Sequence, residues 1–243
     1  DRGWVFTSAT LSVNEKFDYF VNRLGLWDAK TLVLASPFDF ENQAMLCLPR
    51  YLPPANQFNR DQRLAQLAQQ CIEANQGGTF LLFTSHSMLK RVASLLDEKL
   101  DRPVLVQGEG SKRSILQKFT DAGNAVLLGT SSFWEGVDVR GAALRCVIID
   151  KLPFASPDDP LLNARVEDAK LRGVDAFHTI QLPEAIIALK QGAGRLIRDQ
   201  RDSGVLIVCD DRLVTRQYGA RFIKSLPPMA RTRGLSRAML FLK

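Results

Sequence analysis

Residues 79–98 read TFLLFTSHSMLKRVASLLDE. The run Thr79-Phe80-Leu81-Leu82-Phe83 is apolar or β-branched throughout and too short for a helix, so it reads as a strand buried on both faces. A polar turn, Thr84-Ser85-His86-Ser87, ends it, and an amphipathic helix comes next over about 87–98. The same unit repeats on either side. The patterning predicts helices over about 61–75, 111–121, 159–172, 183–198 and 211–224, with strands at Val104–Val106, Ala125–Leu128, Arg145–Ile149 and Val205–Cys209. Short apolar strands alternating with helices make an α/β fold, a parallel sheet with helices on both faces. Ligands of such sheets sit outside the carboxyl ends of the strands, so the residues just after each strand matter most.

Upstream of Asn59 the pattern changes. Asp1–Leu11, DRGWVFTSATL, carries an apolar stretch into a polar turn and reads as the end of a preceding unit. A short helix is predicted over 14–24, with Phe17, Phe20, Val21 and Leu24 on one face, and then a strand at Thr31–Ala35 that Ser36-Pro37 breaks. Residues 36–59 hold Pro37, Pro49, Pro53 and Pro54 and one short strand around Met45–Leu48, the composition of a crossing segment between units. The predicted division is therefore 1–40, 41–224 and a tail, 225–243.

The chain has 243 residues, 46% hydrophobic and 24% charged, with 32 basic against 26 acidic residues and a net charge of +6. That is enough chain for a core without staples. The mild excess of base is compatible with a polyanionic partner without requiring one. No apolar run reaches the ~18 residues of a membrane span, and no secretory leader pattern is present. Cys47, Cys71, Cys146 and Cys209 lie far apart, form no C-x-x-C and sit in or beside apolar stretches, the usage of a reduced, cytoplasmic protein. Composition thus excludes a disulfide scaffold, a membrane protein, a disordered chain and a local zinc finger.

Three stretches carry chemistry. Thr84-Ser85 and Gly129-Thr130-Ser131-Ser132-Phe133-Trp134-Glu135-Gly136-Val137-Asp138 both come directly after strands and offer small hydroxyls and backbone N–H groups. Such loops bind phosphate oxygens; one alone reads equally as a helix cap, but two would open onto the same edge. Phe133 and Trp134 read either as core or as platforms for a base. In the third stretch, Gln191, Arg195 and Arg198 are spaced i, i+4, i+7, one stripe of a continuous helix over 183–198. Gly192 and Gly194 interrupt that helix at a cost of about 1 kcal/mol each, which suits close approach of another backbone or a nucleotide, and paired arginines neutralise charge in phosphoryl transfer; the alternative is an ordinary basic helix face. The arginines are expected beside the strand-end loops. Gly108–Ser114, GEGSKRS, lacks the order of a phosphate loop, and His86 and His178 lack a second ligand at metal spacing.

Taken together these stretches resemble superfamily 2 DNA helicases of the XPD/DinG iron–sulfur type. Thr7-Ser8-Ala9-Thr10-Leu11 is similar to motif III of that family, Ser36-Pro37-Phe38 to its interdomain crossing, and Leu82–Ser87 to motif IV. Gly129–Asp138 resembles motif V, Lys151-Leu152-Pro153-Phe154 a further element, Gln191–Arg198 motif VI, and Asp211-Arg212 an acid–arginine pair after the last strand. The resemblance implies a RecA-like second motor domain. In it Arg195 and Arg198 are arginine fingers toward the ATP γ-phosphate, and Gln191, Glu135, Gly136 and Asp138 contact the nucleotide. Thr84, Ser85, Thr130, Ser131, Ser132 and Trp134 face single-stranded DNA, and Ser8 and Thr10 couple hydrolysis to movement. Residues 1–40 then end the first motor domain. A phosphate loop, Asp-Glu-x-His and a four-cysteine cluster do not occur here, so ATP and Mg2+ would be shared with a first motor domain and a 4Fe-4S cluster would lie outside this chain, which alone is expected not to hydrolyse ATP. The implied full protein is an ATP-dependent DNA helicase of repair or replication, cytoplasmic and nucleoid-associated; the alternative is a non-catalytic nucleic-acid-binding module on a motor-like fold. For the tail, SLPPMARTRGLSRAMLFLK, two readings stand: packing onto the domain, or docking a partner, which the resemblance suggests is the chi subunit of the replicative polymerase.

Overall fold

Among the described residues seven short strands alternate with helices. The computed structural model describes residues 3–50, 52, 53, 57–130, 133, 139 and 143–243. The strands are β1 (Ala44–Cys47), β2 (Gly78–Leu82), β3 (Val104–Val106), β4 (Val126–Gly129), β5 (Leu144–Ile149), β6 (Gly204–Val208) and β7 (Ala230–Thr232). They form one sheet in the order β3-β4-β2-β5-β6-β1-β7, and every pair is parallel. The α/β reading is therefore correct.

The helices are α1 (Asp18–Leu24), α2 (Phe40–Gln43), α3 (Arg60–Ala74), α4 (His86–Asp97), α5 (Lys112–Ala122), α6 (Pro160–Leu171), α7 (Leu182–Ala193), α8 (Arg212–Thr215), α9 (Gly219–Ser225) and α10 (Leu235–Leu242). A π-helical turn, Phe177–Gln181, runs directly into α7. One sheet face is covered by α3, α4 and α10, which bury Leu64, Cys71, Leu89, Leu96 and Leu242 against the strands. The other is covered by α5, α7 and α9 through Phe119, Ile186, Leu189 and Phe222. Central strands are buried on both faces because both are covered, which is why they read as unbroken apolar runs. All four cysteines are buried and unbridged and lie in the core under α3, α4 and α10. Burial alone pushes the Cys47 thiol up to about 11 and raises the other three as well, so none is a thiolate.

Four sequence expectations need correction. Thr31–Ala35 is not a strand; Leu32 and Leu34 are exposed, and among the described residues no strand pairs with them to complete their backbone hydrogen bonds. The apolar face predicted for α1 buries none of its residues. The helix expected over 183–198 stops at Ala193, with Gly194 as its cap. The helix expected over 211–224 is two short ones, α8 and α9. The tail is part of the domain. β7 pairs with β1, placing Leu46 opposite Arg231, and α10 buries Ala238 and Leu242.

Candidate functional site: two edges of one sheet

In a right-handed parallel crossover each helix returns antiparallel to the strands, so a residue just past a strand and a residue just past a helix lie at opposite edges. That geometry divides the candidate residues. Thr84, Ser85 and Thr130 come after β2 and β4 and lie at the carboxyl edge. Gln191, Arg195 and Arg198 end α7 or lie just beyond it, before β6, and so lie at the amino edge. The arginines therefore are not beside the strand-end loops, and the single-stripe argument fails because both lie beyond the helix. The glycines that read as interruptions of a longer helix are where it ends.

At the carboxyl edge β2 and β4 are neighbours whose connections leave to opposite faces, α4 to one and the segment containing Phe133 to the other. This is the crevice where ligands of open α/β sheets bind. Ser85 is the N-cap of α4 and accepts the Met88 N–H at 3.3 Å, so the capping reading holds for it. Thr84 is exposed, and its N–H donates to Asp150 Oδ1 at 3.1 Å. Thr130 is buried. Gln107 Oε1 accepts its N–H at 2.6 Å and its hydroxyl at 3.1 Å, while His86 Nε2 lies 3.4 Å from the same hydroxyl. Thr130 thus shapes the edge from beneath. Phe133 is core: it fills the space over Gly129, where a Cβ would sit 2.7 Å from the Phe133 Cβ, and Lys112 Nζ lies 5.5 Å from its ring centroid. Ser131, Ser132, Trp134, Glu135, Gly136 and Asp138 lie outside the described residues.

Two residues without any motif organise this edge. Gln107 is the residue just after β3, and attention to every strand end would have found it. Arg60, buried at the start of α3, donates to the carbonyls of Asp150 (2.9 Å), Cys209 and Pro53, tying the ends of β5 and β6 to the crossing segment. Burial pushes the Asp150 carboxyl up to about 6, against the opposing effects of the Lys151 charge and the Thr84 N–H. The acid partner of Arg212 is Asp210, not Asp211: Nε lies 2.9 Å from Oδ1 and Nη2 lies 2.6 Å from Oδ2. Burial raises the Asp210 carboxyl, but Arg212 and the N–H groups of Leu152 and Arg212 outweigh it and hold the group below its ordinary value. Arg212 also packs 5.4 Å over the Phe154 ring, so Lys151–Phe154 and Asp210–Arg212 form one unit.

At the amino edge, the loop after α7 carries Arg195 and Arg198, both half-buried. Asp202 folds it: one carboxylate oxygen accepts the N–H groups of Arg198 and Asp199, each at 2.8 Å. Ser8 and Thr10 lie in the segment before α1, their hydroxyls 3.2 Å apart. That segment reaches the end of α7, where the Ser12 carbonyl accepts from Lys190 Nζ at 2.9 Å. Two guanidinium groups suit a terminal phosphate. Among the described residues no three potential ligands converge to hold a metal ion, and no helix is long and apolar enough to cross a membrane.

A parallel sheet with arginines at one edge and hydroxyl-bearing strand ends at the other is the architecture of one RecA-like half of a helicase motor. The chain belongs to the helicase C-terminal domain family, which matches residues 68–229. It is 57% identical over 239 residues to the ATP-dependent DNA helicase YoaA of Escherichia coli K12, covering 98% of this chain and 38% of that protein. It is 37% identical to the 3'-5' exonuclease DinG of Bacillus subtilis, over 92% of this chain and 25% of the relative. The chain thus spans well under half the length of these relatives. Among solved structures it shares its fold with an XPD helicase, at a TM-score of 0.60 and 20% identity over 79% of this chain and 36% of the other.

Proposed function

We propose that this chain is the second motor half of an ATP-dependent DNA helicase acting in repair or replication. What supports the reading is the family match together with the placement of Arg195 and Arg198 at one sheet edge and of Thr84 and Ser85 at the other. Arg195 and Arg198, with Gln191, face the terminal phosphate across a cleft closed by the first motor domain. Glu135, Gly136 and Asp138, in the stretch between β4 and β5, contact the nucleotide as well. Thr84, Ser85 and the N-terminal part of that stretch, Ser131, Ser132 and Trp134, meet the DNA backbone, and Thr130 supports them. Ser8 and Thr10 couple the two edges. Contacts to phosphate carry no base information, so binding is sequence-tolerant and weakens with salt. Mg2+ and any 4Fe-4S cluster belong to the part of the protein outside this chain. The relative named YoaA, 57% identical, supports the helicase reading. Residues 225–243 offer an exposed face, with Arg237 and Leu240, to the polymerase chi subunit. Because β7 and α10 belong to the fold, substitution of those two residues tests this contact better than deletion. The protein acts in the cytoplasm at the nucleoid.

The deciding experiment is Arg198→Ala and Arg195→Ala in the full-length protein that carries this chain. DNA-stimulated ATP hydrolysis and unwinding fall by about 10³-fold, the worth of an arginine finger, while single-strand binding stays within about twofold. Unchanged hydrolysis with intact DNA binding would instead identify a non-catalytic binding module. The isolated 243 residues release no phosphate; DNA-stimulated turnover by them would refute the assignment.

A further inference from the structure

The amino edge has a second element besides the arginine loop. Within the crossing segment lies α2, whose last residue, Gln43, immediately precedes β1. The Gln43 side chain reaches across to the arginine loop. Its Nε2 donates into the turn just past Arg198, to the carbonyls of Asp199 (3.1 Å), Gln200 (3.0 Å) and Asp202 (2.9 Å). Two N–H bonds thus serve three carbonyls, one of them shared. The turn presents them together because Asp202 N–H closes back onto the Asp199 carbonyl at 3.2 Å and the Asp202 carboxylate gathers the N–H groups of Arg198 and Asp199. The loop is held by donors on one side and an acceptor on the other, and the donor comes from the segment by which the chain enters this sheet.

We propose that Gln43 is a positioning residue that fixes the arginine loop to the foot of β1, so that Arg198 keeps its place when the crossing segment moves. The inference rests on the motor reading given above and deepens it. The amide acts through the loop and not on the nucleotide. Its loss should lower the rate at which bound ATP reacts and leave the binding of either ligand largely alone, because a near-attack geometry is sensitive to displacements of about 1 Å.

The test uses the full-length protein with Gln43→Ala, Gln43→Glu, Arg198→Ala and the double variant Gln43→Ala/Arg198→Ala. Gln43→Glu keeps the shape but puts acceptor oxygens against three carbonyls. Both Gln43 variants should lower kcat for DNA-stimulated ATP hydrolysis by at least tenfold, with KM for ATP and single-strand affinity within about twofold. The double variant should be no slower than Arg198→Ala alone, since residues acting through one another are not additive. Normal kcat in both Gln43 variants, or losses that multiply in the double variant, would overturn the inference while leaving the motor reading intact. Normal turnover in Arg198→Ala would overturn the motor reading itself. A urea midpoint for each variant separates loop displacement from unfolding: a kcat loss that tracks the fraction unfolded counts against Gln43.

Discussion

Asp150→Asn tests the carboxyl edge most directly. Asp150 directly follows β5 and is 2% exposed. Its Oδ1 accepts the Thr84 N–H at 3.1 Å, and its Oδ2 has no hydrogen-bond partner among the described residues. Burial pushes this carboxyl from 3.8 up to about 6. In the fold the proton is therefore held above the pH at which the unfolded chain releases it. The contribution to stability is complete below about 3.8 and is lost as pH rises through about 6. The gap between those values corresponds to about 3 kcal/mol, an upper figure for the penalty carried at neutral pH. Asparagine keeps the oxygen that meets Thr84 and removes the titration. The assay is urea unfolding of both proteins, monitored by circular dichroism from pH 3.5 to 7.5. The two should be within about 1 kcal/mol near pH 3.5, and the variant should gain steadily, to be more stable by as much as ~3 kcal/mol at pH 7. Parallel curves across the range would refute the reasoning, since they would mean that the carboxylate is as well solvated in the fold as out of it. A variant less stable at pH 7 would mean that the ionised group has a partner.

Other substitutions probe separate contacts. Gly129→Ala places a Cβ 2.7 Å from that of Phe133 and should cost about 1–3 kcal/mol by overpacking, read as a lower urea midpoint with unchanged slope. Arg212→Ala leaves Asp210 buried without its guanidinium and should cost about 3 kcal/mol. Because the Asp210 carboxyl is held below its ordinary value, its contribution is present above about pH 4 and lost as pH falls, so the deficit in Arg212→Ala should shrink in acid. Thr84→Glu adds a charge at an exposed position of the carboxyl edge; on the proposed reading it should weaken single-strand binding in the full-length protein several-fold, with a larger deficit at low salt, as measured by fluorescence anisotropy.

Much of the fold is legible in the sequence because it rests on short-range pattern. Strands covered on both faces read as apolar runs, and β2 to β6 fall within a residue or so of expectation. The failures share a physical origin. Thr31–Ala35 has the propensity of a strand, but a strand is made by its neighbour. β7 gives little signal because Ala230-Arg231-Thr232 is half polar, as an edge strand can be when only β1 pairs with it. Gly192 lies within α7 and Gly194 caps it in a right-handed conformation, so the continuous helix that the i, i+4, i+7 spacing suggests ends before Arg195. Among site residues, those in motifs are visible, whereas Gln43, Arg60 and Gln107 act mainly on groups far away in sequence, and Asp202 on N–H groups three and four residues back, and none belongs to a motif. Asp211 stands next to Arg212 and takes the eye, but sequence order cannot say which of two adjacent acids turns back toward the guanidinium, and it is Asp210 that does.

The two edges set a limit on how the chain can work. They are separated by the length of a strand, about 16 Å for five residues, too far for one ligand to touch the other's site. Communication must run through elements that reach both. The strands do, but they are packed too tightly to slide. α7 spans the same distance, about 18 Å for twelve residues, and is not locked into the sheet by backbone bonds. The segment before α1 and α1 itself are bonded to it at both ends. Ser12 meets Lys190 near the arginine loop, while the Tyr19 hydroxyl donates to Glu184 at 2.5 Å and Arg165 joins the same carboxylate near the carboxyl edge. Movement of residues 12–19 relative to the sheet would therefore act on the whole length of α7 at once. On the proposed reading of Ser8 and Thr10 as coupling residues, α7 is the element through which they would reach the carboxyl edge.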